Sequence, residues 1–368
     1  MLKKAISLFS GAGGDTLGME NSGINVVGFI EYDKNAIITH KINFPDSKLI
    51  GENICDVTEN DLKCFKDIDI IFGGFPCTPF SKAGKQNPKD KRNQLYLEFI
   101  RIVKIIKPKI VIAENVEGLK NVKLNGKSFL DIIVDDFRTK TGYYLDYKLY
   151  NTIDFGIPQK RKRFIFIGSK NKNSIKFPED IISCGVKLNT NEKKKRESKR
   201  KKISQEEYLE FSLENALKID QNIIKKIKIP KNKWIIDLKN KDLPFGKPAT
   251  NLIKCSKFTK IIDKKGKEVI HGISFRKRDF PTYSCVIDKN DFARTITARY
   301  DTMPRLFVPI KNKVGNFLRA YTVDEAKQIQ GFPKEYDFSG VKRKEAMKQI
   351  GNAVPPPMIT KIVKTLFS

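Results

Sequence analysis

Five short apolar runs in the first half of the chain constrain its fold more than any single residue does. They are AISLF at residues 5–9, NVVGFI at 25–30, DIIF at 69–72, KIVIA at 109–113 and RFIFIG at 163–168. Each is too short and too uniformly apolar for a surface helix, and reads as a strand covered on both faces. Between them, residues 94–106 and 128–137 carry apolar side chains at helical spacing. Strands of this kind alternating with amphipathic helices predict an α/β fold with a doubly wound, mostly parallel sheet. Ligands of such sheets bind beyond the carboxyl ends of the strands, so the residues that follow each run are the first candidates for a site.

After Gly168 the rhythm is lost. Residues 191–202, NEKKKRESKRKK, form a charge block that reads as a flexible, solvated segment. Turn clusters follow at 242–248 and 288–291, and no internal repeat is visible. Pattern returns at 322–330, where TVDE is a capping-type start and Gly331 a stop, and the tail from Pro357 reads as one more helix. The pattern divides the chain into stretches over 1–180, 181–322 and 323–368.

The 368 residues, 40% of them hydrophobic, suffice for one large core and a smaller domain. No apolar run approaches the roughly 18 residues needed to cross a bilayer. The start, MLKKAISLFSGAGG, is broken by glycines and Asp15 too early for a secretory signal, so a cytoplasmic protein with no membrane partner is expected. Lys and Arg number 71 against 42 Asp and Glu, and the formal charge of +29 points to a polyanionic partner. The abundance of Lys, Asn and Ile also fits an AT-rich genome, which accounts for part of the excess. Six cysteines form no CxxC pair and only His40 and His271 could join them, which argues against zinc and against a disulfide framework.

Several residues carry possible chemistry. FSGAGG, residues 9–14, follows the first run with glycines that let backbone approach a ligand, but it lacks the GxGxxG spacing of dinucleotide binders. Glu31, at the end of the second run, stands where a carboxylate meets a ribose diol. Cys77, in GGFPCTPFS at 73–81, follows a proline on a loop at the sheet edge, a setting that lowers a thiol pKa. Read alone, Glu114 in ENV could be a helix cap, Arg161 and Arg163 in QKRKR a solvated strand end, and Asn352 in GNAVPPP part of a proline-rich turn.

Taken in order, SLFSGAGGDTLG, FIEYD, GGFPCTPFS, ENV, QKRKR and QIGNAVPPP resemble the motifs of the DNA cytosine-5 methyltransferases of bacterial restriction-modification systems. The resemblance spans both ends of the chain and implies an S-adenosylmethionine-dependent fold: a catalytic and cofactor-binding domain over 1–180, a target-recognition domain over 181–322, and a segment over 323–368 that returns to the catalytic domain. It implies that S-adenosylmethionine, with no metal, is the cofactor, with Phe9 and Tyr32 edging the adenine and Glu31 on the ribose. Ser10, Gly11, Gly13, Gly14, Pro76 and Asn352 complete the pocket. Asn53 and Ile54 stand where the family has an Asp and an apolar residue; an amide oxygen still accepts from the adenine amine, without charge, and Asp56 is an alternative acceptor.

By the same resemblance Cys77 adds to C6 of a cytosine, Glu114 meets N3 and the exocyclic amine, and Arg161 and Arg163 offer donors to O2 and nearby groups, Arg163 more directly. Residues 81–95 would form a closing loop with Lys85 and Gln86 at its tip, and RTITA at 294–298 would brace the recognition domain. The implied partner is duplex DNA with the target base rotated out, and the implied role is protection of host DNA by a monomer beside a restriction endonuclease. A tRNA cytosine methyltransferase shares the catalytic set. A noncatalytic DNA-binding relic and a nucleotide-dependent oxidoreductase are the readings from other classes.

Overall fold

A computed structural model describes residues 3–76, 95–124, 126–178, 292–301, 306–312 and 315–368, with short strands at Ile235–Asp237, Ile261–Ile262, Glu268–Val269 and Cys285–Val286. Cys77, Lys85, Gln86 and the charge block at 191–202 lie outside the described residues.

The apolar runs become strands. β1 is Lys3–Leu8, β2 Ile24–Ile30, β3 Lys48–Gly51, β4 Ile70–Gly73, β5 Ile110–Val116, β6 Tyr144–Asn151 and β7 Lys162–Ser169. They form one seven-stranded sheet in the order β3-β2-β1-β4-β5-β7-β6. The first five pair in parallel, whereas β7 runs antiparallel to both β5 and β6. The doubly wound, mostly parallel sheet expected from the runs is therefore present. Its single reversed strand, RFIFIG, has the same uniformly apolar composition as the parallel ones, because it too is buried on both faces.

The longer helices among the described residues are α1 (Gly14–Glu20), α2 (Lys34–Asn43), α3 (Leu95–Ile106), α4 (Phe129–Thr141), α5 (Val323–Ile329), α6 (Arg343–Asn352) and α7 (Pro356–Phe367). Their ends follow local chemistry. The Asp33 side chain caps α2, and Gly142, with φ 77°, ends α4 in the left-handed region. Thr322 and Glu325 exchange hydrogen bonds as a capping box at the start of α5, as TVDE predicts. Proline opens α7, where a missing N–H costs nothing.

Alternation along the strands sorts the core into two layers. Ile6, Leu8 and Ile71 pack toward Phe99, Val103, Ile133 and Phe137 of α3 and α4. Ala5, Ile70, Phe72 and Ile112 pack on the opposite face with Met19 of α1 and Met358, Ile359 and Ile362 of α7. Each such Leu, Ile, Val, Phe or Met side chain fully removed from water contributes about 1.5–3 kcal/mol before entropy is counted. The last helix of the chain is thus part of the first sheet's core, beside α1. A third cluster joins Ala12 and Phe44 to Ile296, Tyr300, Tyr321, Phe332, Tyr336 and Ile350, so the loop after β1 rests on side chains from the carboxyl-terminal part of the chain. The Tyr336 hydroxyl donates to the Ala12 carbonyl.

Asp15 lies in this packing, 3% exposed, and accepts a hydrogen bond from the Ser7 hydroxyl between β1 and α1. Burial raises its pKa to about 7, against the opposing pull of the Ser7 and backbone donors, and the charge of Glu31 adds to the rise. A carboxyl held above its unfolded pKa stabilises the fold fully in acid, and this contribution is lost as pH rises through the folded value. Thermal melts should therefore show the wild type losing stability from about pH 4 to about pH 8 more steeply than Asp15→Asn. Parallel curves for the two proteins would show that Asp15 does not carry this proton.

Candidate active site

β2, β1, β4 and β5 are consecutive parallel strands, so their carboxyl ends lie along one edge of the sheet. At the end of β1, Phe9 has φ 59°, a conformation rarely adopted by a residue with a side chain, and Gly11 follows with φ 54°. Glu31 ties this turn to the end of β2: one carboxylate oxygen accepts from the Gly11 N–H and the other from the Asp33 N–H, both at 2.7 Å. Burial pushes the Glu31 carboxyl above the usual range, while those backbone donors oppose the shift. Asp33 in turn pairs with Lys348 of α6.

Tyr32, 77% exposed, borders a cleft of about 470 Å³ whose walls include Ile50, Gly51, Asn53, Asp56 and Val57. The Asn53 side chain accepts from the Cys55 N–H at 3.2 Å and donates to Asp56 at 2.9 Å, so Asn53 and Asp56 share this wall. Ile54 differs. Its side chain is 3% exposed in the core beneath α3, and it is not among the residues lining the cleft.

Gly14 is in contact with the closing segment of the chain. A Cβ on Gly14 would stand 2.3 Å from the Val354 carbonyl oxygen, an approach that only glycine permits. Gly13 opens α1 with φ 81°. Asn352, the last residue of α6, is exposed two positions before Val354. Three features of this half of the crevice fit a nucleoside with hydroxyl and amine groups. The buried Ser10 hydroxyl has no hydrogen-bond partner, the space a Gly11 side chain would occupy is open, and the Glu31 carboxylate, with its four lone pairs, keeps acceptor capacity beyond its backbone donors.

The other half is built on β4, β5 and β7. The Gly74 N–H donates to the Leu8 carbonyl, and the Asn115 side chain donates to the Phe75 carbonyl at 3.2 Å. Phe75 is buried against Phe99 and Tyr96, so the chain is held through Pro76, which is partly buried, up to the point where Cys77 begins the segment outside the described residues.

Beside it, Glu114 of β5 is 9% exposed and pairs with Arg163 Nε of β7 at 2.6 Å. Burial pushes the Glu114 carboxyl up, and the charges of Arg163 and Arg161 act against it. Glu114 is thus no helix cap; it lies within a strand, aimed at a guanidinium.

Arg161 departs from its expected part. It is 1% exposed, and its guanidinium donates to the carbonyls of Ile296 at 3.2 Å, Gly351 at 3.0 Å and Ala353 at 3.1 Å. Those donors are committed to backbone and cannot also serve a cytosine O2 or a phosphate. The two arginines, expected to act side by side, are separated by the structure, and only Arg163 meets Glu114.

Asn115, Gln159, Gln330 and Lys348 were not singled out by sequence reasoning. Gln159 and Gln330 join side chain to side chain at 2.7 Å under the crevice. Each stands within or beside a quoted motif, but nothing in sequence foretells the burial of Asn115, Gln159 and Gln330 or the pairing of Lys348, whose side chain is 43% exposed, with Asp33. His40 is structural: it stacks on Phe29 with ring centroids 3.7 Å apart, and burial lowers its pKa to about 3.

The chain as a whole is similar to known proteins. A family model described as C-5 cytosine-specific DNA methylase matches residues 3–368. The Type II methyltransferase M.DdeI of Desulfomicrobium norvegicum is 30% identical, over 95% of this chain and 85% of that protein. M.NgoMIV of Neisseria gonorrhoeae, also a Type II methyltransferase, is 30% identical over 96% and 94% of the two chains. A crystal structure described as a DNA modification methyltransferase encoded within an E. coli prophage superposes with a TM-score of 0.63 at 26% identity, covering 99% of this chain and 98% of that one.

The bonds of Glu31 give a direct test of the cofactor half. Glu31→Ala should weaken S-adenosylmethionine binding, measured by calorimetry without DNA, by about 1.5–3 kcal/mol. An unchanged dissociation constant would move the ribose site away from Glu31.

Proposed function

The chain belongs to the C-5 cytosine-specific DNA methylases, and on that premise we propose which of its residues carry methyl transfer to cytosine C5 in duplex DNA. The observation that supports the assignment most is the buried Glu114–Arg163 pair, one strand away from the Phe75 carbonyl that Asn115 holds just before Cys77.

Cytosine C5 is a poor nucleophile in the aromatic ring. Cys77, as a thiolate, forms a bond to C6, and the ring electrons move toward C5, N3 and O2. Glu114 stabilises this charge at N3 and the exocyclic amine, and its raised pKa suits a group that holds a proton there. Arg163 fixes the Glu114 carboxyl and faces O2. Once C5 has bonded a methyl group, loss of the C5 proton to solvent and departure of the thiolate from C6 restore the ring. S-adenosylmethionine, when bound, supplies the methyl group as an electrophilic carbon on a sulfonium. Glu31, Ser10 and the backbone of Gly11 hold its ribose and adjoining groups, while Phe9, Tyr32 and Asn53 hold its adenine. Gly13, Gly14, Pro76 and Asn352 border the remainder.

The substrate is a duplex whose target cytosine is rotated out of the stack, and the +29 formal charge supports phosphate contacts along it. Residues 181–322 carry target recognition, and 323–368 complete the catalytic domain. The relatives' Type II names support a role beside a restriction endonuclease in a bacterial cell; action as a monomer in the cytoplasm is part of the same proposal. Among the described residues no helix is long and apolar enough to cross a membrane.

Cys77→Ala should abolish methylation while cofactor and DNA affinity persist, and a duplex carrying 5-fluorocytosine should trap the wild type covalently but not this variant. Glu114→Gln should slow single-turnover methylation by roughly 100-fold or more with little change in DNA affinity. Methylation by the alanine variant at a comparable rate would contradict the role of Cys77, and equal losses in rate and DNA affinity would make Glu114 a structural residue.

A further inference from the structure

The carbonyl cage around Arg161 joins three stretches of chain that are far apart in sequence. Its guanidinium bonds Ile296 from one segment and Gly351 and Ala353 from another, and its Nε has no partner among the described residues. Two buried glutamines repeat the same connections. The Gln159 side chain accepts from the Ile296 N–H at 3.1 Å and donates to the Gln330 side chain at 2.7 Å. Gln330 then donates to the Ala353 carbonyl at 2.6 Å. Ile296 is therefore held at both its N–H and its carbonyl, and the Ala353 carbonyl accepts from two side chains.

Backbones at this junction are in contact. A Cβ on Gly351 would lie 2.3 Å from the Thr297 carbonyl carbon and 2.4 Å from the Ala298 nitrogen. A fully buried guanidinium with carbonyl partners rather than a paired carboxylate is costly to desolvate. Burial accordingly pushes its pKa well down, and the nearby charge of Glu114 supports the cation. What this arrangement achieves is visible on either side of it. One residue past Ala353, the Val354 carbonyl touches Gly14 of the cofactor loop. Two residues past Arg161, Arg163 pairs with Glu114.

We propose that Arg161 is a positioning residue that sets both pockets at once, by holding residues 351–353 against 296–298 so that Val354 supports the cofactor loop and Arg163 stands at Glu114. This rests on the methyltransferase reading, and it separates Arg161 from its neighbour Arg163, which acts at the base alone. Removing Arg161 should damage cofactor affinity and the chemical step together, even with no DNA present for the first measurement.

The test compares Arg161→Met with Arg163→Met, using calorimetry with S-adenosylhomocysteine in the absence of DNA and single-turnover methylation of a substrate duplex. Arg161→Met should bind S-adenosylhomocysteine about 10-fold or more weakly and methylate at least about 10-fold more slowly. Arg163→Met should lose turnover with its S-adenosylhomocysteine affinity unchanged within about 2-fold. Guanidinium at a non-denaturing concentration should restore both properties to Arg161→Gly. A melting curve establishes that each variant folds. Should Arg161→Met fail to fold, Gln330→Met, which removes the second donor to the Ala353 carbonyl and leaves Arg161 in place, should weaken S-adenosylhomocysteine binding in the same direction. Unchanged S-adenosylhomocysteine affinity in a folded Arg161→Met, or in Gln330→Met where that variant must decide, would overturn the proposal. A wild type that neither binds S-adenosylhomocysteine nor methylates DNA would instead defeat the methyltransferase reading beneath it.

Discussion

The antiparallel entry of β7 into an otherwise parallel arrangement beside β5 is the constraint on which the site depends. In a parallel sheet every strand starts at the edge opposite the ligand crevice, so a residue at a strand's beginning stands far from the chemistry. Reversal puts the first residues of β7 at the ligand edge. Arg163 then pairs in register with Val116, and Ile165 with Glu114. Those two registrations bring a guanidinium and a carboxyl together in a place dry enough for each to matter to the other.

A second constraint is the return of the chain's end to its beginning. α7 lies on the sheet beside α1, Tyr336 bonds the Ala12 carbonyl, and Val354 occupies the space a Gly14 side chain would need. The loop after β1, which we propose holds the cofactor, is thus shaped from outside as well as by its own glycines. Phe9 in the left-handed region and Glu31 on two backbone N–H groups are conformations that an isolated strand–turn–helix would not keep. Their persistence follows from the packing of residues more than 300 positions away, such as the Ala12–Tyr336 contact separated by 324 residues.

Much of the fold was legible because strands buried on both faces leave uninterrupted apolar runs. Direction was not legible, since RFIFIG has no feature that distinguishes a reversed strand from a parallel one. β6 went unnoticed because Tyr144–Asn151 lies at the sheet's edge, where only two of its eight residues are buried and Asp146 and Lys148 interrupt the apolar pattern. In the proposed site, Glu31, Glu114 and Arg163 are the residues that the order of motifs points to. Arg161 could not be told from Arg163 by residue type or spacing, because what separates them is a set of backbone carbonyls brought in from residues 296, 351 and 353. Asn115, Gln159 and Gln330 are similar cases: an amide buried on main-chain partners looks the same in sequence as one facing water.

The central claim is that this crevice methylates cytosine at C5 in duplex DNA of a defined sequence. Incubating a random duplex library with the purified protein and S-adenosylmethionine, then sequencing modified cytosines at base resolution, tests it most directly. The account predicts 5-methylcytosine at one position of a short, recurrent sequence and no modification elsewhere. A library left unmodified under conditions where the protein methylates cytosines in RNA, or binds the cofactor without methylating either nucleic acid, would contradict it.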